Sequence, residues 1–99
     1  MQPLLDLRMH DGSRHFGSLP SSRSWESVRD HVRRLKGARL TGFLTDGVTE
    51  AWIDFEFASQ RFSVNDQFGE FWFFVDDPSC PDSLLHTVMV HFTGLLGDA

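Results

Sequence analysis

The chain holds 99 residues, enough for a single domain over 1–99 and too few for a second hydrophobic core. Hydrophobic residues make up 40% and charged residues 23%, a balance that excludes both a disordered tail and a membrane protein. Fourteen acids against nine bases leave a net charge of −5, which repels phosphate backbones within a Debye length of about 8 Å and argues against nucleic acid as a partner.

The N-terminus, Met1 to Asp6, has no basic segment followed by an apolar run. The longest apolar stretch, Phe71 to Val75, is too short to span a bilayer, so no membrane association is expected. Leu5, Leu7 and Met9 alternate with Asp6, Arg8 and His10 and suit a short edge strand. Residues 10–24 are dense in Gly, Ser and Pro and follow neither hydrophobic period, so residues 1–22 read as an N-terminal arm and loop.

Trp25, Val28, Val32 and Leu35 place one apolar stripe on a helix over 24–36. Ser24 is placed to cap it, Glu26 suits its N-terminal dipole, Arg33, Arg34 and Lys36 suit the other end, and Gly37 stops it. The basic run formed by Arg29, Arg33, Arg34, Lys36 and Arg39 is shared between this helix and the next strand and reads as a solvated face.

Residues 39–76 read as a four-stranded antiparallel meander. Asp46-Gly47 is a type I′ hairpin signal, because both turn positions favour positive φ; it pairs Leu40 with Ile53 and Arg39 with Asp54. A turn at Ser59-Gln60 then pairs Phe57 with Phe62, and a loop over Asp66 to Gly69 pairs Val64 with Phe71. Alternation puts Leu40, Leu44, Ala51, Ile53, Phe55, Phe57, Phe62, Val64, Phe71, Phe73 and Val75 on the core face. Pro78 and Pro81 break the sheet, and a helix over 81–96, with Ser79 or Asp82 as cap, carries a wide apolar stripe from Leu84 to Leu96. The fold class is therefore α+β in the order α-β-β-β-β-α, with an extra N-terminal edge strand as an option.

The second sheet face collects Phe43, Trp52, Asp54, Glu56, Arg61, Trp72 and Phe74, with Glu50, Ser63 and Asn65 among them. Polar neighbours argue against a covering layer, and large aromatics on a wet face mark a contact surface. The competing reading is that the first helix or the N-terminal arm folds across them. Glu50, Asp54 and Glu56 form an acidic row beside these aromatics, which invites comparison with paired glycosidase carboxylates held about 5 to 10 Å apart. An open sheet offers no desolvation to separate their acidities, so a solvated, salt-linked row is expected, with Arg39 paired to Asp54.

Five histidines show no helical or strand spacing that would converge on a metal; His86 and His91 diverge by about 140° around a helix. The segment Asn65 to Glu70 lacks the oxygen donors of a calcium loop. Nucleophile-elbow, phosphate-loop and dinucleotide fingerprints are absent. Cys80 is the single cysteine, which permits no intrachain disulfide and suits a reducing, cytoplasmic setting; a helix dipole beside it could lower its thiol pKa, but that is one weak factor and a small buried or half-buried loop thiol is expected.

The expected function is that of a small acidic cytoplasmic protein-binding module without cofactor or metal. Its aromatic sheet face would engage a basic protein or a second copy in a homodimer, in the manner of a secretion chaperone or an immunity-type adaptor. The alternative is a small enzyme or ligand carrier with a pocket between the sheet and the N-terminal arm.

Overall fold

The computed structural model describes residues 3–45 and 51–97. Eight elements follow one another: β1 (Leu7–Arg8), β2 (Arg14–Pro20), α1 (Trp25–Val32), β3 (Arg39–Thr45), β4 (Ala51–Phe57), β5 (Gln60–Gln67), β6 (Glu70–Val75) and α2 (Asp82–Leu96). The strands form one six-stranded antiparallel sheet in the order β1-β2-β6-β5-β4-β3. The α+β class agrees with the sequence reading, but the sheet has six strands rather than four and the first helix lies between strands rather than ahead of them.

The largest correction is β2, which occupies the stretch read as a loop. It pairs antiparallel with β6, so β6 is an interior strand and not the end of a meander. A register shift between His15 and Gly17 accommodates Phe16 as an extra residue, and the alternation that would have announced the strand is lost there. Gly17 is explained by proximity. A Cβ built on it would lie 2.6 Å from Cε and 2.7 Å from Sδ of Met89, so α2 can approach the sheet only where β2 has no side chain.

The first helix begins as expected. Ser24 Oγ accepts from the Ser27 amide at 3.1 Å, satisfying an orphan donor of the first turn. It ends at Val32 rather than 36, because Arg33, Arg34 and Leu35 donate to carbonyls three residues back and tighten the chain. Leu35 is nevertheless buried with Val28 and Val32. Neither expected cap starts α2: Pro81 takes the cap position with no side-chain bond, and Ser79 donates through its amide and hydroxyl to Asp77 Oδ1 instead. Asp82 in its first turn pairs with Arg14 of β2 at 3.2 Å.

The hairpins of the meander are tighter than the sequence reading has them. Ala58 and Ser59 (φ +53° and +65°) join β4 to β5, and Phe68 and Gly69 (φ +50° and +80°) join β5 to β6, both as two-residue turns. Phe55 therefore opposes Phe62, and Val64 opposes Phe73. Each shift is two residues, so every side chain keeps its face. In β3 the result differs. Arg39 opposes Glu56, and a register shift between Leu40 and Gly42 makes the remainder of the displacement odd. Phe43 consequently opposes Ile53 on the core side, while Leu44 opposes Trp52 on the other. The turn signal at Asp46-Gly47 lies outside the described residues.

Both helices pack on one sheet face. There Phe16, Phe55, Phe62, Phe73 and Phe92 meet with ring centroids 5.1 to 6.4 Å apart, closed over by Val28, Val32, Leu85, Val88 and Leu96.

Candidate binding face

The face away from the helices is built as a grid by strand pairing. One row runs Leu44, Trp52, Asn65, Trp72 and Ser18; the next runs Asp54, Ser63, Phe74 and His15; a third brings Glu56 beside Arg61. Six of the seven predicted site residues are therefore together: Trp52, Asp54, Glu56, Arg61, Trp72 and Phe74. Phe43 is not among them. It packs against the core, with the Arg29 guanidinium 5.0 Å from its ring centroid, and Leu44 stands in its place at 72% exposure.

Sequence reasoning misses His15, because residues 10–24 carry no strand period. The buried imidazole stacks on Trp72 at 4.7 Å and lies 5.1 Å from Phe74, which in turn is 5.8 Å from Trp52. His15 Nε2 lies 3.0 Å from the Gly17 carbonyl oxygen, so this nitrogen carries the proton and donates it. Burial pushes the His15 pKa down, outweighing the opposite pull of that bond and of Glu70. Between the two tryptophans Asn65 is 1% exposed and donates from Nδ2 to the Ala51 carbonyl at 2.9 Å, a bond that ties β5 to the start of β4.

Neither α1 nor the whole arm covers this face. Among the described residues, only the β1–β2 connection stands at one corner, where Met9 N donates to Ser13 O and Asp11 Oδ1 accepts from the Ser13 amide and hydroxyl. Those bonds, the hydroxyl's foremost, hold the Asp11 carboxyl below the usual carboxylate range. The rim and the aromatic rows enclose a half-open hollow of about 440 Å³, lined by Met9, His10, Asp11, Ser13, Trp52, Ser63, Asn65, Trp72, Phe74 and Asp76. A second hollow of about 310 Å³ shares Ser63 and Asp76 and continues over Thr41, Asp54, Glu56 and Arg61. One groove thus runs from an aromatic end to a charged end.

Among the described residues of the acidic row, Glu56 is salt-linked and Asp54 is not, so the expected Arg39–Asp54 pair is replaced. Arg39 pairs with Glu56 at 2.7 Å, and Asp54 accepts from Ser63 Oγ at 2.8 Å. Glu50 lies outside the described residues. The two carboxylates at Asp54 and Glu56 sit at the charged end of the groove, so they can set charge and receive donors.

Elsewhere, Cys80 is the buried thiol expected, and desolvation raises its pKa, so the weak dipole effect does not prevail. His31 and His91 meet across the two helices, a juxtaposition that no single-element spacing announces. Among the described residues no group of three or more His, Cys, Asp and Glu side chains is placed to hold a metal ion, and no helix is long and apolar enough to cross a membrane. No family model matches the chain, and neither a curated protein nor a solved structure matches it.

Proposed function

We propose that this chain is a non-enzymatic binding module that engages a protein partner through the open face of its sheet. The observation that carries the reading is a pair of tryptophans, Trp52 and Trp72, left partly exposed above the buried ring of Phe74 on a face that neither helix covers. Two large apolar side chains stand near the same end of the sheet: Leu44, and Phe68 at the β5–β6 turn, which is 92% exposed at positive φ. A turn position needing positive φ favours Gly or Asn, and an exposed Phe there gains nothing for folding, so contact with a partner accounts for it best.

The net charge of −5 favours a basic partner over a second copy, which would meet its own charge. A cytoplasmic setting belongs to the same reading, since a single buried thiol needs no oxidising compartment. A small enzyme or carrier would use the same 440 Å³ hollow, but its half-open mouth leaves the carboxylates hydrated, which suits surface recognition better than catalysis.

Trp72→Ala tests the proposal. Trp72 is half-buried against His15, so its loss is expected to cost about 1 to 2 kcal/mol of folding stability. Association with basic peptides selected from a displayed library is expected to weaken by about 30-fold or more. Thermal unfolding and sedimentation, with each selected peptide and alone, read the two effects. A loss of several kcal/mol with association unchanged overturns the binding face.

A further inference from the structure

The half-open hollow has a chemical character of its own. Its apolar lining is Trp52, Trp72 and Phe74 with Met9, and its carboxylates are Asp11 and Asp76, with the His10 imidazole on the rim beside them and no Lys or Arg among the lining residues. Beneath Trp72, burial holds the His15 imidazole toward its neutral form, so it does not supply the missing positive charge. An anion entering the hollow meets no guanidinium or ammonium. A neutral aromatic group covers the rings but leaves two carboxylates facing its apolar edge. An organic cation satisfies both features, because aromatic faces attract cations through their quadrupole and carboxylates balance the charge.

Resting on the binding-face reading above, we propose that this hollow receives the alkylammonium side chain of a basic partner, with Trp52, Trp72 and Phe74 around the cation and Asp76 and Asp11 balancing it. The hydrocarbon stem of such a side chain lies along Met9 and Trp52, and the half-open mouth leaves the ammonium part of its hydration. Asp76 is the better placed of the two acids. It lines both hollows and is anchored by its amide, which donates to the Arg61 carbonyl at 3.0 Å, whereas Asp11 already accepts two bonds from Ser13.

The three tryptophans provide the readout. Trp25 donates its indole N–H to Asp66 Oδ2 away from the hollow and serves as an internal reference for Trp52 and Trp72. The full chain is titrated at pH 8 and low salt with Nα-acetyl-lysine methylamide, its Nε-trimethylated form, and a neutral isostere carrying carbon in place of the ammonium nitrogen. Indole N–H resonances are followed by NMR. Both cations are expected to shift Trp52 and Trp72 saturably and to leave Trp25 unmoved, with the isostere weaker by about tenfold. Asp76→Asn, checked for an unchanged melting temperature, is expected to weaken both cations and leave the isostere as it was. An isostere that binds as tightly overturns the cation assignment while leaving the face a binding surface. Silence of Trp52 and Trp72 toward every probe overturns the hollow as a cation site, whereas the binding-face reading itself falls only on the Trp72→Ala measurement.

Discussion

The two faces of the sheet are made by the same strands, and both are rich in aromatic rings, yet they differ in which ring dominates, with Phe74 a phenylalanine on the open side. The covered face uses Phe: Phe16, Phe55, Phe62 and Phe73 are buried under α2, where a ring without a polar atom leaves nothing to satisfy. The open face places Trp52 and Trp72 among Asn65, Ser63 and Asp54, where an indole N–H has polar company. Trp25, on the helix side, makes the same point from the other direction, since its N–H finds a carboxylate in Asp66. Apolar area on the covered face is withdrawn from water when the chain folds. On the open face part of that area is still hydrated in the folded state, and its burial is left to a binding event.

The contrast breaks most sharply under truncation. Phe73 packs at 5.1 Å from Phe92 and is 1% exposed, so Phe73→Ala is expected to cost about 3 to 5 kcal/mol of unfolding free energy. Glu56→Ala on the open face removes only the exposed pair with Arg39, and it should change stability by less than about 0.5 kcal/mol. Urea unfolding checks both. Equal midpoints for the two variants would mean that the faces are exchanged.

A second variant probes the fit of helix to sheet. Gly17→Ala brings a methyl into the space held by Met89 Cε and Sδ, and Met89 is nearly buried. The expected cost is about 1 kcal/mol, near the lower end for overpacking, because the end of a Met side chain can swing aside. In a Met89→Ala background the same change should cost close to nothing, since the cycle removes the atom it strikes. Additive losses would show that Gly17 is needed for its backbone and not for the approach of α2.

Much of the covered face was legible in the sequence, for a physical reason. In β4, β5 and β6 the turn positions differ from the expected ones by a single residue or by a shorter loop, and each error moves the register by two, which alternation cannot detect and does not need to. Trp52, Asp54, Glu56, Arg61, Trp72 and Phe74 are therefore where the pattern puts them. The failures sit at the two bulges. One in β3 turns Phe43 inward and Leu44 outward, and one in β2 hides a whole strand behind Phe16 and Gly17. An extra residue leaves no compositional mark, so His15 and the rim over residues 9–13, which complete the hollow, came only with the three-dimensional arrangement. A hint was available in Phe16 and Leu19, two large apolar residues inside a supposed loop.

The smallest expected effect concerns neither face but the clasp between the helices that lie on one of them. His31 Nε2 lies 2.9 Å from the His91 carbonyl oxygen, His91 Nε2 lies 2.7 Å from the His31 carbonyl oxygen, and the two rings stack at 4.0 Å. Both bonds require Nε2 to carry the proton, which neutral rings satisfy; two imidazolium ions at that separation would repel. Burial, with the His31 charge acting in the same sense, lowers the His91 pKa, and burial likewise lowers that of His15. The folded chain thus takes up protons at lower pH than the unfolded chain, whose histidines titrate near about 6.5. Stability contributed by these groups is complete above that value and is lost as pH falls through it toward the folded values. The exposed carboxyls with lowered pKa, Asp6, Asp11, Asp30 and Asp77, act in a separate and more acid window, below about pH 4. The melting temperature is expected to be level from pH 8 to 7 and to decline between pH 6.5 and 5. In His91→Gln, whose amide keeps a donor but cannot charge, the decline should be shallower and should retain the part due to His15. A native curve that is flat or rising toward pH 5, or an unchanged slope in the variant, would remove the clasp from the pH dependence and leave the helix-covered face indifferent to histidine charge.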